Sequence, residues 1–186
     1  MAQLNLEDSL VLIIDVQEKL LNAVFNKEQV EKKSAIIAEA AKILGIPVVV
    51  TEQYPKGLGN TIPAVKDALA EDTEIFEKTA FSALNNEEIL EAIQKHNKKH
   101  NKKQILIFGI ETHICVSQTT AAFRELGYEV SVIKDACGSR AEEEYLAGLE
   151  RMKDNGAYII TTEIALFEWL KGAKHPNFKA VQALIK

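Results

Sequence analysis

Three residues whose side chains suit covalent catalysis each follow an apolar run of the sequence. Asp15 ends a run of aliphatic residues, Lys78 follows a shorter apolar run, and Cys115 lies just beyond a third. A thiol can act as a nucleophile, a carboxylate as a proton acceptor and an ammonium group as a charge stabiliser. If the apolar runs are strands, the three residues form a complete set for nucleophilic catalysis.

Each of these residues also has a simpler interpretation. Cys115 falls at the predicted N-terminus of a helix, where the helix dipole and free N–H groups favour a thiolate. Most intracellular cysteines are instead small buried hydrophobic residues. Asp15 alone could be a turn residue or a helix cap, and Lys78 could be exposed. Cys137, within the segment 135–140, has no comparable placement, and we interpret it as structural.

The elements that must position these residues alternate between strands and helices. Short Val- and Ile-rich runs predict strands that are buried on both faces, and apolar spacings of three or four predict helices between them. The predicted strands are 9–14, 46–51, 74–77, 104–108, 128–133 and 157–161. The predicted helices lie within 30–44, 64–69, 89–93, 116–127, 142–153, 163–171 and 177–185.

This alternation predicts a three-layer, doubly wound α/β fold. We expect a Rossmann-like, six-stranded parallel sheet of order 3-2-1-4-5-6 with helices on both faces. The length suits a single domain over residues 1–186, and no Gly- or Pro-rich linker divides it. Ligands of such sheets bind beyond the carboxyl ends of the strands, which is where the three candidate residues fall.

The composition argues against several classes of partner. The formal net charge is −5, which does not favour nucleic acid, and the basic run 96–103 lacks interleaved aromatic residues and is interpreted as a solvated connector. No apolar stretch reaches the roughly 18–20 residues that span a bilayer. The N-terminus lacks a signal pattern, so we expect a cytoplasmic protein. The two cysteines form no C-x-x-C pair, which argues against a thiol redox enzyme.

Three segments, taken in order, resemble the isochorismatase-like cysteine hydrolase superfamily. They are Leu12-Ile13-Ile14-Asp15-Val16-Gln17, the pair Glu77-Lys78, and Phe108-Gly109-Ile110-Glu111-Thr112-His113-Ile114-Cys115-Val116. The first two are weak motifs alone, whereas the third, placed directly after a predicted strand, is specific. Segments 51–59 and 135–140 are most similar to the isochorismatase domain-containing proteins within that superfamily.

The resemblance implies a catalytic triad of Asp15, Lys78 and Cys115. Asp15 would accept the thiol proton and return it to the leaving group, while Lys78 would keep Asp15 ionised and favour the thiolate. The sulfur would attack a carbonyl carbon, form a thioester and release an amine or ammonia. The family also carries a cis peptide, here Ile110-Glu111, which would direct the Glu111 and Cys115 N–H groups into an oxyanion hole.

The sequence departs from the metal-dependent nicotinamidases of this superfamily. Their loop after the second strand supplies histidine ligands, and here that region has Glu52 and Gln53 instead. We therefore expect neither a metal site nor a cofactor. The candidate substrate-binding residues are Gln17, Gln53, Tyr54, Thr112 and His113. Gln53 could equally stabilise its loop, and packing or pocket lining is the simpler role for His113.

The presence of Cys115 also bears on the reaction. True isochorismatases, which cleave a vinyl ether, generally lack a cysteine at this position, so the sequence favours attack on a small amide, ureide or related C–N substrate. The alternative is a catalytically quiet relative that works as a binding or scaffold protein. The resemblance further implies a homo-oligomer, a dimer or larger.

Overall fold

Six parallel strands form one sheet in the order β3-β2-β1-β4-β5-β6 in the computed structural model, which describes residues 3–100 and 103–186. The strands are β1 Ser9–Ile14, β2 Val48–Gln53, β3 Glu74–Lys78, β4 Gln104–Gly109, β5 Glu129–Ile133 and β6 Tyr158–Ile160. The predicted fold class and strand order are therefore confirmed. The sheet is parallel throughout because every connection between its strands is a crossover.

The helices connect the strands and cover the two faces of the sheet. They are α1 Glu18–Ala23, α2 Lys27–Leu44, α3 Pro55–Leu58, α4 Pro63–Lys66, α5 Glu87–His100, α6 Ser117–Glu125, α7 Glu142–Asp154, α8 Thr162–Leu170 and α9 Phe178–Ala183. Helices α4, α8 and α9 each contact α2, whereas α6 and α7 pack against each other. Within the described residues, no helix is both long enough and apolar enough to span a membrane.

Two predictions about local structure need correction. Helix α5 extends to His100, so the connector predicted for the basic run is wrong over 96–100, where Lys, His and Asn continue a helix that no Gly or Pro interrupts. Residues 101 and 102 of that run lie outside the described residues, as do Met1 and Ala2. The loop after β2 contains α3, which begins at Pro55. Strand β3 is a partly exposed edge strand rather than one buried on both faces.

The two central strands, β1 and β4, lie side by side, and their carboxyl ends are adjacent. Every residue of β1 and β4 is buried, and Ile14 pairs with Gly109 at their carboxyl ends. Gly109 has a φ of 134°, and a Cβ there would lie 1.9 Å from the carbonyl oxygen of Ile14. Only glycine fits at that point, so the chain after β4 runs directly against the end of β1.

We expect Gly109→Ala to lower the free energy of unfolding by more than about 3 kcal/mol, because the new methyl group overlaps backbone and the φ is unfavourable. Gly45→Ala is the matched control. Gly45 also has a positive φ, 68°, but a Cβ there meets nothing within 4 Å. Its cost should be the conformational term alone, about 1–2 kcal/mol. Urea unfolding of both variants measures the difference, and equal losses would refute a special role for the β1–β4 contact.

Candidate active site

Asp15 lies at the centre of a buried hydrogen-bond network. It follows β1 directly and has a left-handed φ of 52°, a conformation that aspartate tolerates better than most residues. One carboxylate oxygen accepts a 2.6 Å bond from Thr51 Oγ1, and the other lies 2.7 Å from Lys78 Nζ. The carboxylate is therefore fixed from both sides without any contact with solvent.

Lys78 reaches Asp15 from two strands away. It is the last residue of β3, and its side chain passes the end of β2 to form a fully buried ion pair with Asp15. Its ammonium group also donates to Gln53 Oε1 at 2.7 Å and to the carbonyl oxygens of Ala80 at 3.2 Å and Phe81 at 3.4 Å. These acceptors replace the water that the charge loses on burial, which is the condition for a stable buried cation.

Cys115 completes the group predicted from the sequence. It lies in a π-helical turn, Thr112–Val116, that connects the end of β4 to α6. The residue is 6% exposed, and its thiol hydrogen-bonds the Asp15 carboxylate, while the backbone N–H of Glu111 donates to the sulfur. The three strand ends therefore bring together Asp15, Lys78 and Cys115.

The resting charge state differs from the sequence-based interpretation. Burial raises the pKa of the Cys115 thiol to about 12, and the negative charge of Asp15 acts in the same direction, against the opposing charge of Lys78. The interpretation that the helix N-terminus stabilises a thiolate is therefore wrong for the resting protein. One buried cation already balances one buried anion, so a second anion has no counter-charge.

Proton transfer within the triad avoids this cost. If the thiol proton moves to Asp15, the sulfur becomes the anion and the carboxyl group becomes neutral, so the total charge is unchanged. Burial also raises the pKa of Asp15, although the charge of Lys78 and hydrogen bonds from Lys78, Thr51 and Cys115 oppose the shift. A carboxylate with a raised pKa is a better proton acceptor. The arrangement favours a nucleophile that forms by internal transfer.

The turn before Cys115 presents backbone donors. The Ile110-Glu111 peptide bond is cis, and the carbonyl oxygen of Glu111 accepts from the N–H groups of Ile114 at 3.1 Å and Val116 at 3.3 Å. With its carbonyl held by the turn, Glu111 directs its own N–H toward the sulfur of Cys115. This is the peptide for which the sequence predicted a part of an oxyanion hole.

The loop candidates are largely committed to the protein itself. Gln17 is buried, and its amide donates to the carbonyls of Gln53 and Gly59 and accepts from the Gln53 N–H. The Gln53 side chain accepts from Lys78 and donates to the carbonyl of Thr79. These contacts match the loop-stabilising interpretation of Gln53. Tyr54 has a left-handed φ of 38°, and its exposed ring lies over the short helix α3.

The two candidates in the π-helical turn also face the protein. Thr112 is buried and donates both its N–H and its hydroxyl to the carbonyl of Gly138, at 2.9 Å and 3.0 Å. His113 directs Nδ1 to Ser139 Oγ at 3.0 Å and Nε2 toward Glu144 at 3.7 Å. Its ring lines a cleft of about 500 Å³ beside α6, which does not include the triad.

The sequence indicated segment 135–140 only through its resemblance to known proteins, and the contacts of its last residues with this turn were missed. Gly138–Arg140, named here the clasp, contacts the turn through each of its residues. The Gly138 N–H donates to the carbonyl of Gly109 at 3.2 Å, and the Arg140 N–H donates to the Glu111 carboxylate at 2.9 Å. Thr51 was also missed, because a polar residue near a strand end carries no signal that distinguishes it from a turn residue.

Gly148 is a further residue that the sequence did not indicate. It lies inside α7, where glycine is unfavourable by about 1 kcal/mol relative to alanine. A Cβ there would lie 2.9 Å from the backbone N and Cα of His113. The absence of a side chain lets α7 pack directly on the turn that carries Cys115.

The residues at the second-strand loop do not fit a metal site. Glu52 Oε1 accepts from the N–H and hydroxyl of Thr61 at 2.6 Å and 2.8 Å, and the oxygen of Gln53 accepts from Lys78. Both oxygens are thus committed to protein donors. Among the side chains that the structure describes, no group of three or more His, Cys, Asp or Glu is arranged to hold a metal ion.

Comparison with known proteins assigns the class. The isochorismatase domain model matches residues 9–164 of this six-stranded α/β fold. The chain belongs to the isochorismatase family. It is 38% identical to isochorismatase domain-containing protein 2 of Xenopus laevis, over 95% of this chain and 83% of that protein.

Solved structures give the same fold. The MAR1 ribonuclease of Caenorhabditis elegans superposes with a TM-score of 0.92 at 38% identity, covering 99% of this chain and 92% of that one. The YcaC gene product of Escherichia coli, described as an octameric hydrolase of unknown specificity, has a TM-score of 0.90 at 25% identity and covers 98% of this chain and 88% of that one.

Removing the negative charge of Asp15 and removing the positive charge of Lys78 should change the reactivity of Cys115 in opposite directions. Asp15→Asn removes the charge that raises the pKa of the thiol, so alkylation of Cys115 by iodoacetamide at neutral pH should accelerate by about tenfold or more, one pKa unit being tenfold in thiolate. Lys78→Met removes the opposing cation and should slow the reaction.

Cys137 is the internal control for this experiment. It is fully buried, and burial raises its pKa to about 12 as well, so it should stay unlabelled in every folded variant. Mass spectrometry of the two cysteine peptides measures both rates. Slower labelling of Cys115 in Asp15→Asn than in the unsubstituted protein would contradict the charge balance described above.

Proposed function

We propose that the protein is a cysteine-dependent hydrolase of small amides, ureides or related C–N compounds. The observation that carries the proposal is the buried Lys78–Asp15 ion pair at the carboxyl edge of the sheet, with the buried thiol of Cys115 interacting with Asp15. Family membership supports a hydrolase role, and the geometry supports the finer assignment of the nucleophile. A buried ion pair that exists only to stabilise the fold would not require a thiol beside it.

The reaction follows from the charge balance of the triad. Asp15 accepts the proton of Cys115, and the sulfur attacks the carbonyl carbon of the substrate. The oxyanion of the tetrahedral intermediate is stabilised by the backbone N–H groups of Glu111 and Cys115. Asp15 then donates its proton to the leaving nitrogen as the C–N bond breaks, which releases an amine or ammonia and leaves a thioester on Cys115.

Water completes the cycle. Asp15, again ionised, accepts a proton from a water molecule that attacks the thioester carbonyl, and the sulfur leaves and takes the proton back. Lys78 remains an ammonium group throughout and balances whichever member of the pair is negative. No step requires a metal or a cofactor, and we propose that none takes part.

The proposal predicts Cys115-dependent release of ammonia from a panel of small primary amides and ureides. Cys115→Ala should lower turnover at least about a thousandfold, as loss of a nucleophile does in other hydrolases. Cys137→Ala is the matched control and should retain turnover, since Cys137 lies outside the triad. A coupled ammonia assay gives the rates, and a metal chelator should leave them unchanged.

The same panel separates the alternatives. A fluorogenic RNA oligonucleotide belongs in it, because the Caenorhabditis elegans relative is named a ribonuclease. Cleavage of RNA without amide turnover would replace the proposed substrate class, and the absence of any Cys115-dependent turnover would favour a binding or scaffold protein. Loss of activity with chelator, restored by a divalent metal, would refute metal independence.

We further propose that the protein works in the cytoplasm as a homo-oligomer. Both cysteines are free thiols, which suits a reducing compartment, and the octameric Escherichia coli relative supports self-association. Light scattering on the purified protein should give a mass that is a multiple of the 20.7 kDa chain. A mass of one chain at micromolar concentration would contradict this part of the proposal.

A further inference from the structure

We propose that Arg140 is a positioning residue for the oxyanion hole: its guanidinium group holds the Glu111 side chain and thereby the Glu111 peptide beside Cys115. This inference rests on the proposed function, because it assigns a cause for the position of a donor used in that reaction. Arg140 itself touches no reacting atom.

The contact between the two side chains is unusually complete for a surface arginine. Arg140 Nε lies 3.0 Å from Glu111 Oε2, Nη2 forms an ion pair with Oε1 at 2.6 Å, and the Arg140 backbone N–H donates to Oε2 at 2.9 Å. Arginine binds a carboxylate in this two-pronged manner because its planar fork matches the spacing of the two oxygens. A lysine could not reproduce the geometry.

The exposure of the two partners argues against a role in packing. The Arg140 side chain is 64% exposed, so it covers little of the core, whereas the Glu111 side chain is only 9% exposed. An exposed ion pair contributes little to stability. The buried partner, however, belongs to the residue whose N–H contacts the nucleophile, so the orientation of Glu111 matters more than the strength of the pair.

Glu111 is thus fixed at three points. The turn holds its carbonyl, Arg140 holds its carboxylate, and its N–H faces the sulfur of Cys115. The rest of the clasp reinforces this, since Gly138 binds Thr112 and Ser139 binds His113. Loss of the Arg140 side chain removes two of these bonds to the Glu111 carboxylate and leaves the bond from the Arg140 backbone N–H, so the carboxylate is held less firmly.

The contact between Arg140 and Glu111 also affects the pKa of Glu111, and it should therefore affect how the reaction rates depend on pH. Burial alone would raise the pKa of Glu111, but the hydrogen bonds and charge of Arg140, with a smaller effect of His113, lower it below the ordinary value. Without the Arg140 side chain, its charge and its side-chain hydrogen bonds no longer oppose burial, so the pKa of Glu111 should rise and Glu111 should take up a proton at a higher pH than in the unsubstituted protein. The other charged groups nearby are His113 on the turn and Glu144 on α7, which faces both His113 and Arg140.

The test compares Arg140→Met, Arg140→Lys, Glu111→Gln and the double variant Glu111→Gln/Arg140→Met. Arg140→Met should lower both kcat and the alkylation rate of Cys115 by about tenfold, a fraction of the loss expected from a missing oxyanion donor. Both rates, taken relative to those of the unsubstituted protein at the same pH, should also fall further below neutral pH, which gives this ratio an acid limb. Arg140→Lys should recover part of the pH behaviour but not the full rate.

The double variant isolates the cause of the acid limb. Since a glutamine side chain cannot titrate, the limb should disappear in Glu111→Gln/Arg140→Met, whereas a limb that persists would come from another group and would overturn the assignment to Glu111. Arg151→Met, which removes another exposed arginine, controls for the loss of one positive charge. Thermal unfolding of each variant identifies any that fails to fold.

The outcomes for Arg140 and for the proposed function are distinguishable. If the unsubstituted protein shows no Cys115-dependent turnover, the proposed function fails, yet the alkylation profiles still decide the role of Arg140. If Arg140→Met matches the unsubstituted protein in rate and pH profile while turnover is present, the inference about Arg140 fails and the proposed function stands.

Discussion

The buried ion pair between Lys78 and Asp15 is the constraint on which the site depends. The two opposite charges lie 2.7 Å apart and are shielded from solvent. Removal of either residue would leave the other as a buried charge without a counter-charge, which is strongly unfavourable. Thr51 and Gln53 of β2 supply the hydrogen bonds that complete the pair. The net charge of the ion pair is zero, so a thiolate beside it has no counter-charge. At neutral pH the thiol of Cys115 therefore loses its proton most readily to Asp15, which leaves the total charge unchanged.

The rest of the fold delivers the sulfur to that pair. Gly109 lets the chain after β4 touch the end of β1, and Gly148 lets α7 press on the π-helical turn. The clasp then holds the turn from the outside through backbone and side-chain bonds. Two glycines that permit close approach, and the clasp, of which only Arg140 is exposed, therefore decide where Cys115 lies, although none of them is chemically reactive.

The sequence predicted the elements that depend on local pattern. Buried apolar runs identified β1 and β4 within a residue, and the parallel order followed from the alternation of strands and helices. Edge strand β3 was less well described, since Glu74 and Glu77 flank the apolar pair Ile75-Phe76 and the exposure of the strand depends on its place in the sheet. The grouping of Asp15, Lys78 and Cys115 could be predicted because parallel strands place their carboxyl ends at one edge.

The features that sequence could not provide depend on contacts between distant segments. The roles of Gln17 and Thr112 are set by backbone carbonyls that only the folded chain brings near, and a side chain gives no sign of which carbonyl it will meet. Nothing in Arg140 or Gly148 distinguishes them from surface residues. The protonation of Cys115 likewise depends on a charge 100 positions earlier in the chain, and a rule for helix N-termini alone gave the wrong sign.

The charge balance is tested most directly by ultraviolet titration of the thiolate in the Cys137→Ala protein, where Cys115 is the remaining cysteine. The account predicts a protonated thiol at neutral pH, with thiolate absorbance rising only under strongly alkaline conditions, since burial and Asp15 raise the pKa to about 12. Full thiolate absorbance at neutral pH would show that Lys78 pairs with sulfur rather than with Asp15 in the resting protein, and would contradict the account.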